Sequence, residues 1–188
     1  MQRILLATVA VLAAGLVSAQ SYPNRQVRIV VPFPPGGTSD ILARTIGARL
    51  AGPLGQPVVV ENRPGAGGNI AADHVAKSTP DGYTLIMGTS SLAISQSLYK
   101  KLSYDLLQDF APITQAVNYT NLLVVHPSAG VSNVAELLAL ARAKPGALSY
   151  GTAGNGTPPH MTGELFKAYT GVNILHIPYK GGAPAIAD

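Results

Sequence analysis

Cysteine is absent from the 188 residues, which excludes disulfides, thiolate zinc sites and a cysteine nucleophile. The absence leaves the compartment open, because oxidising surroundings permit disulfides without requiring them. Charge is scarce as well. Asp, Glu, Lys and Arg make up 12% of the chain, about half of what an ordinary globular domain carries. A disordered acidic or basic tail protein is therefore excluded. The formal charge is +4, yet no run of Lys and Arg occurs, and the densest basic pair is Lys100-Lys101. That argues against nucleic-acid binding. Repeats are lacking too. The 20 glycines and 15 prolines fall in discrete turns, so collagen-like and low-complexity readings fail.

What is present begins with an export leader. Arg3 gives a positive start, Ile4 to Val17 is apolar, and Val17-Ser18-Ala19 offers small residues for cleavage. The apolar run is shorter than the ~20 residues that span a bilayer, and no second run follows it. Cleavage near Ala19 and a periplasmic, soluble mature chain are expected.

From there strands and helices alternate. Gln26–Phe33, Pro57–Glu61 and Tyr83–Met87 read as buried-type strands, separated by helical stretches at Asp40–Leu50 and Asn69–Lys77. Thr38 or Ser39 is the expected cap of the first helix. A further helix is expected over Thr89–Leu98, then two strands in quick succession at Pro112–Val117 and Leu122–His126. A second cycle follows: a helix over Ser132–Ala143, a strand at Leu148–Gly151, a helix at His160–Thr170 and a strand at Asn173–Pro178. Another helix starts at Ala183. Strand, Gly-rich turn and helix in succession predict an α/β fold with parallel sheets.

The chemistry lies in three loops that follow strands and open helices. They are Pro34-Pro35-Gly36-Gly37-Thr38-Ser39-Asp40, then Gly88-Thr89-Ser90-Ser91, then Gly151-Thr152-Ala153-Gly154-Asn155-Gly156-Thr157. Ligands of open α/β sheets bind outside the carboxyl ends of the strands. There a helix N-terminus offers unpaired N–H groups and partial positive charge. Glycine admits close approach and hydroxyls add donors, so carboxylates or phosphates suit such loops. None of the three holds Lys or Arg. Capping alone also accounts for the same residues. Asp40, the one acid here, either favours a helix first turn or receives a ligand ammonium or amide.

Enzyme readings fare worse. Gly65-Ala66-Gly67-Gly68 has the start of a dinucleotide fingerprint, but its third position is Ile70 and the nearest acid is Asp81, in a turn. No Gly-x-Ser-x-Gly elbow and no P-loop occurs. His160 and Glu164 stand four apart with His176 beyond, and the second histidine of a zincin pair is missing. No cofactor and no metal are expected.

The ordered motifs carry a resemblance. Val30-Val31-Pro32-Phe33-Pro34-Pro35-Gly36-Gly37-Thr38-Ser39-Asp40, Val60-Glu61-Asn62-Arg63-Pro64-Gly65-Ala66-Gly67-Gly68 and Pro80-Asp81-Gly82-Tyr83-Thr84-Leu85 resemble the Bug/TctC family. So do Tyr104-Asp105 with Asp109-Phe110-Ala111-Pro112, Tyr150-Gly151-Thr152-Ala153-Gly154-Asn155-Gly156-Thr157 with His160, Gly163-Glu164-Leu165-Phe166-Lys167, and Ile177-Pro178-Tyr179-Lys180-Gly181. The resemblance runs over residues 22–188. It implies a two-lobed, flytrap-type (type II) periplasmic binding protein that captures a dicarboxylate, tricarboxylate or acidic amino acid for a tripartite tricarboxylate transporter. The membrane components of that transporter would be its partners, and a monomer its state. A sensor without a transport role is the alternative. The resemblance also implies that the loops at Phe33–Asp40, Thr89–Ser91 and Ala153–His160 grip the ligand. Residues 1–19 are expected as signal, 20–120 as lobe one and 121–188 as part of lobe two, with a hinge near Asn118–Leu122. Because the chain stops one turn into a helix, a truncated product or fragment is expected, a non-functional remnant among the possibilities.

Overall fold

The computed structural model describes residues 22–188; the expected leader lies outside the described residues. Two parallel sheets organise the chain. The first is ordered β2-β1-β3, with β1 at Val27–Val31, β2 at Val58–Asn62 and β3 at Thr84–Ile86. β1 pairs with β2 from Val27 opposite Val58 to Val31 opposite Asn62, and with β3 from Arg28 opposite Thr84 to Val30 opposite Ile86. Helix α1 (Thr38–Leu54) connects β1 to β2, and α2 (Asn69–Ala76) connects β2 to β3. Helix α3 (Ser90–Leu98) follows β3.

β1 is central and covered on both faces, so Val27, Ile29, Val30 and Val31 are all buried. Ile29 and Val31 pack on Ala43 of α1 together with Val58, Val60, Leu85 and Met87. A second cluster joins Ala72 of α2, Leu92 of α3 and Tyr104, with Ile86 against it. Leu85 and Ile86, adjacent on β3, thus point into different clusters, as the strand period of two demands.

The second sheet pairs β4 (Ser149–Thr152) with β5 (Leu175–Pro178), Ser149 lying opposite Leu175. Helix α4 (Val134–Ala143) precedes it, α5 (Pro158–Thr170) joins its strands and α6 (Gly182–Ala187) follows. Asn133 caps α4, its Oδ1 accepting from Glu136 N–H at 2.9 Å.

Three expectations are corrected. The segments Pro112–Val117 and Leu122–His126 form no strands. They are apolar enough, but no described backbone pairs with them, and Leu122, Leu123 and Val124 are exposed. Helix α1 continues past Leu50 through Pro53 and stops at Gly55 in the left-handed region, φ 63°. A proline this close to the end disrupts only the final turn. The α1 cap is Gly37, without a side-chain bond, rather than Thr38 or Ser39.

Candidate functional site

The loop after β1 is held from below. Buried Asp40 accepts from Gly36 N–H at 2.9 Å, from Asn62 Nδ2 at 2.9 Å and from Arg44 Nε at 3.0 Å. Asn62, at the end of β2, also donates to the Phe33 carbonyl at 3.0 Å. The Arg44 guanidinium holds the Asp40 carboxyl down at about 2, burial opposing it and the Gly36 amide assisting. Asp40 therefore spends its oxygens on shaping the loop. Thr38 and Ser39 open α1, so their amides have no intrahelical acceptor.

The loop after β3 behaves similarly. Ser90 and Ser91 open α3 after Thr89. The Thr89 and Ser91 hydroxyls are buried without a hydrogen-bond partner among the described residues.

The loop after β4 is more internally bonded. Gly154 N–H donates to Thr152 Oγ1 at 3.2 Å, Gly156 N–H to His160 Nδ1 at 3.2 Å, and Thr157 Oγ1 to the Gly154 carbonyl at 2.6 Å. Pro158 and Pro159 open α5 and have no N–H at all. The donors left over are at Ala153 and Asn155. This is narrower than a plain helix N-terminus would offer.

Beneath that loop lies a polar stack. The His160 ring stacks on His176 with centroids 4.2 Å apart. His176 Nε2 meets Thr152 Oγ1 at 2.7 Å, and its ring lies 5.0 Å from that of Tyr150. Burial, then the neighbouring His160, pushes the His176 pKa down. Tyr150 donates to Glu164 Oε1 at 2.8 Å, and Lys167 Nζ donates to the same carboxylate at 2.9 Å. Lys167, then Tyr150, lowers the Glu164 pKa. Burial, then Glu164, raises that of Tyr150. Both histidines are committed to the loop, and among the described residues no group of three His, Asp or Glu is placed to hold a metal ion.

Two cavities collect these loops. One, of about 230 Å³, is lined by Phe33 from the first loop, Gly65–Gly68, Tyr99, Ala153–Asn155 from the third, and Pro178–Lys180. The other, of about 420 Å³, is lined by Thr38 and Ser39 of the first loop, Thr89 and Ser90 of the second, Thr114–Tyr119, Asn121 and Pro158. Phe33, Thr38, Ser39, Thr89, Ser90, Ala153, Gly154 and Asn155 thus reach a cavity wall. Pro35, Gly36, Gly37, Asp40, Ser91, Gly156, Thr157 and His160 do not; of these, Pro35 and Gly36 are exposed, whereas Asp40, Ser91 and Thr157 are buried.

Sequence reasoning missed the Gly65–Gly68 turn, Tyr99, Tyr179, Lys180 and the segment Thr114–Asn121 as lining. Two of these had a usable signal: the Gly65–Gly68 turn follows β2, and Lys180 follows β5 at the same sheet edge as Ala153–Asn155 follows β4, the place where strand-end loops bind ligands. The loops of the two sheets meet closely. A Cβ on Gly67 would stand 2.6 Å from the Asn155 carbonyl oxygen, and one on Gly181 would stand 2.9 Å from Pro34 Cδ.

Comparison with known proteins places these features. The model of the tripartite tricarboxylate transporter family receptor, TctC, matches residues 42–188. Protein BugT of Bordetella pertussis is 42% identical over 177 residues, covering 93% of this chain and 54% of BugT. An R. palustris protein solved with adipate is 47% identical with a TM-score of 0.86, over 89% of this chain and 56% of that one. MatC from Rhodopseudomonas palustris, solved with bound malate, is 34% identical with a TM-score of 0.79, over 88% of this chain and 57% of MatC. The chain spans about half the length of the relatives it matches.

Proposed function

The chain belongs to the tripartite tricarboxylate transporter receptor family, and on that premise we propose that it captures a small carboxylate for such a transporter. Its α/β fold is that of periplasmic binding proteins, of which it spans about half. Proteins of the family are periplasmic solute-binding proteins rather than enzymes. No helix among the described residues is long and apolar enough to cross a membrane.

The observation that carries the proposal is the meeting of donor loops from both sheets, none of which holds Lys or Arg. Phe33 and Ala153–Asn155 share one wall, while Thr38, Ser39, Thr89 and Ser90 share another. Helix-opening amides and hydroxyls suit a carboxylate without a formal cation. Asp40, Thr157 and His160 act one layer back, fixing the loops that make contact. A periplasmic protein whose loops hold an acid between two lobes is fitted to hand it to membrane partners. Residues 20–120 supply lobe one and 121–188 belong to lobe two, with Asn118–Leu122 as hinge. The receptor works as a monomer.

Thermal melting of the purified chain against a panel of mono-, di- and tricarboxylates tests the proposal. A binder stabilises by mass action, by ~2.7 kcal/mol at a hundredfold excess over Kd. A melting temperature that climbs with the concentration of one acid supports the reading. A flat response across the panel refutes it.

A further inference from the structure

We propose that His176 is a positioning residue for the donor loop after β4, acting through Thr152, and that it makes carboxylate capture weaken in acid; the second half rests on the carboxylate reading above. Hydrogen bonding fixes where its proton sits. The buried Thr152 hydroxyl has one proton to give. Its Oγ1 accepts from Gly154 N–H at 3.2 Å and stands 2.7 Å from His176 Nε2. The other acceptor in reach, the Gly154 carbonyl, is 3.5 Å away and already receives the Thr157 hydroxyl at 2.6 Å. The Thr152 hydroxyl therefore donates to Nε2, and neutral His176 carries its proton on Nδ1. His160 is fixed in the opposite tautomer. Its Nδ1 accepts from Gly156 N–H at 3.2 Å, so its proton sits on Nε2. One ring holds the Gly156 amide directly and the other holds the Gly154 amide through Thr152. Between those amides lies Asn155, on the wall of the 230 Å³ cavity.

Protonation removes either acceptor, because an imidazolium only donates. The stacked rings, with centroids 4.2 Å apart, also resist a charge on both. The groups facing His176 do not offset this. On α5 the Glu164 carboxylate favours a charged ring, but Lys167 and the Tyr150 hydroxyl of β4 already bond it. Helix α6, packed on β4, has no titratable side chain, and Asp188 beyond it accepts from the Tyr179 hydroxyl. Burial, then His160, lowers the His176 pKa, and Lys167 acts in the same direction. The stability this gives is present above the ordinary imidazole pKa of 6.5 and is lost as pH falls through the lowered value.

Heteronuclear NMR of the chain without ligand tests the positioning role, from about pH 7.5 to about pH 5, either side of the ordinary imidazole pKa. Neutral His176 should carry its proton on Nδ1, and the Gly154 amide should shift as His176 titrates. Calorimetry with succinate and with adipate then compares wild type, His176→Gln and His176→Leu over the same range. Gln sets an acceptor near Nε2 that does not titrate, and Leu sets none. At neutral pH His176→Gln should bind within about twofold of wild type, and His176→Leu about fivefold more weakly. Towards pH 5 wild type should lose about fivefold more affinity than His176→Gln, in which the titration of the acid itself is equally present. A neutral His176 protonated on Nε2, or a Gly154 amide indifferent to its titration, overturns the positioning role. Equal pH dependence in wild type and His176→Gln overturns the coupling to capture. If wild type binds neither acid and none of the wider panel, the carboxylate reading falls and the coupling with it, while the spectra without ligand still decide what His176 does to the loop.

Discussion

Gly67→Ala separates the closeness of the two loop systems from ordinary backbone strain. Gly67 has φ 66°, a left-handed conformation. Alanine there costs about 1 kcal/mol whatever its surroundings. The added methyl also meets the Asn155 carbonyl oxygen at 2.6 Å, and ordinary contact starts only at 3.4 Å. Backbone must therefore part by about 0.8 Å, which moves Asn155 away from its place on the cavity wall. One anion-directed hydrogen bond lost is worth about 1.5–3 kcal/mol, so carboxylate affinity should fall at least about tenfold. Gly55→Ala is the matching control, because Gly55 has φ 63° at the end of α1 and nothing within 4 Å of a Cβ. Melting is measured with and without a fixed excess of a carboxylate that stabilises wild type. Gly55→Ala should lower both melting temperatures together. Gly67→Ala should in addition shrink the ligand-induced shift, by ~1.4 kcal/mol for a tenfold loss, or roughly 4 °C for a chain of this size. If the two variants show the same ligand-induced shift, the approach of Gly67 to Asn155 has no part in binding.

Asp40→Asn should destabilise the chain by about 2 kcal/mol in urea at neutral pH, through loss of charge-assisted bonds to Arg44 and Gly36. The Asp40 pKa is lowered from 3.8 to about 2, so its stabilising effect is present above 3.8 and lost as pH falls through about 2. The gap between variant and wild type should close over that interval; a gap that persists at pH 2 contradicts the assignment. Gly163→Ala should lower stability by about 2 kcal/mol, because the new methyl runs into the Tyr150 ring. Helix propensity alone gives the opposite sign, a gain of about 1 kcal/mol, so the direction of the melting shift decides. His160→Ala should weaken carboxylate binding about fivefold by freeing the Gly156 amide, and His160→Asn, which restores an acceptor near Nδ1, should recover most of it in the same titration.

β1, β2 and β3 were legible as apolar, largely β-branched runs closed by a glycine or proline turn, β4 and β5 only as short segments between helices, and parallel pairing followed from the helices between them. Pro112–Val117 and Leu122–His126 have the same composition, yet a strand exists only where a neighbour completes its hydrogen bonds, and composition does not name the neighbour. The start of α5 at Pro158 rather than His160 was readable in principle, since proline is favoured in the first helical turn. The donor loops were legible from glycine and hydroxyl content. Their division between two cavities was not, because it depends on how loops of one sheet meet those of the other. The role of Asp40 was undecided in sequence for the same reason: Asn62, 22 residues away, settles it by bonding both Asp40 and Phe33.

That brace from Asn62 through Asp40 to Gly36 ties the first donor loop to the strand register beneath it. The loop's ordering is then completed during folding, before any acid arrives, and capture does not have to freeze it again. In calorimetric terms, association at this loop should carry little conformational entropy loss, and loosening the brace should surface as a more unfavourable binding entropy with the enthalpy of contact retained.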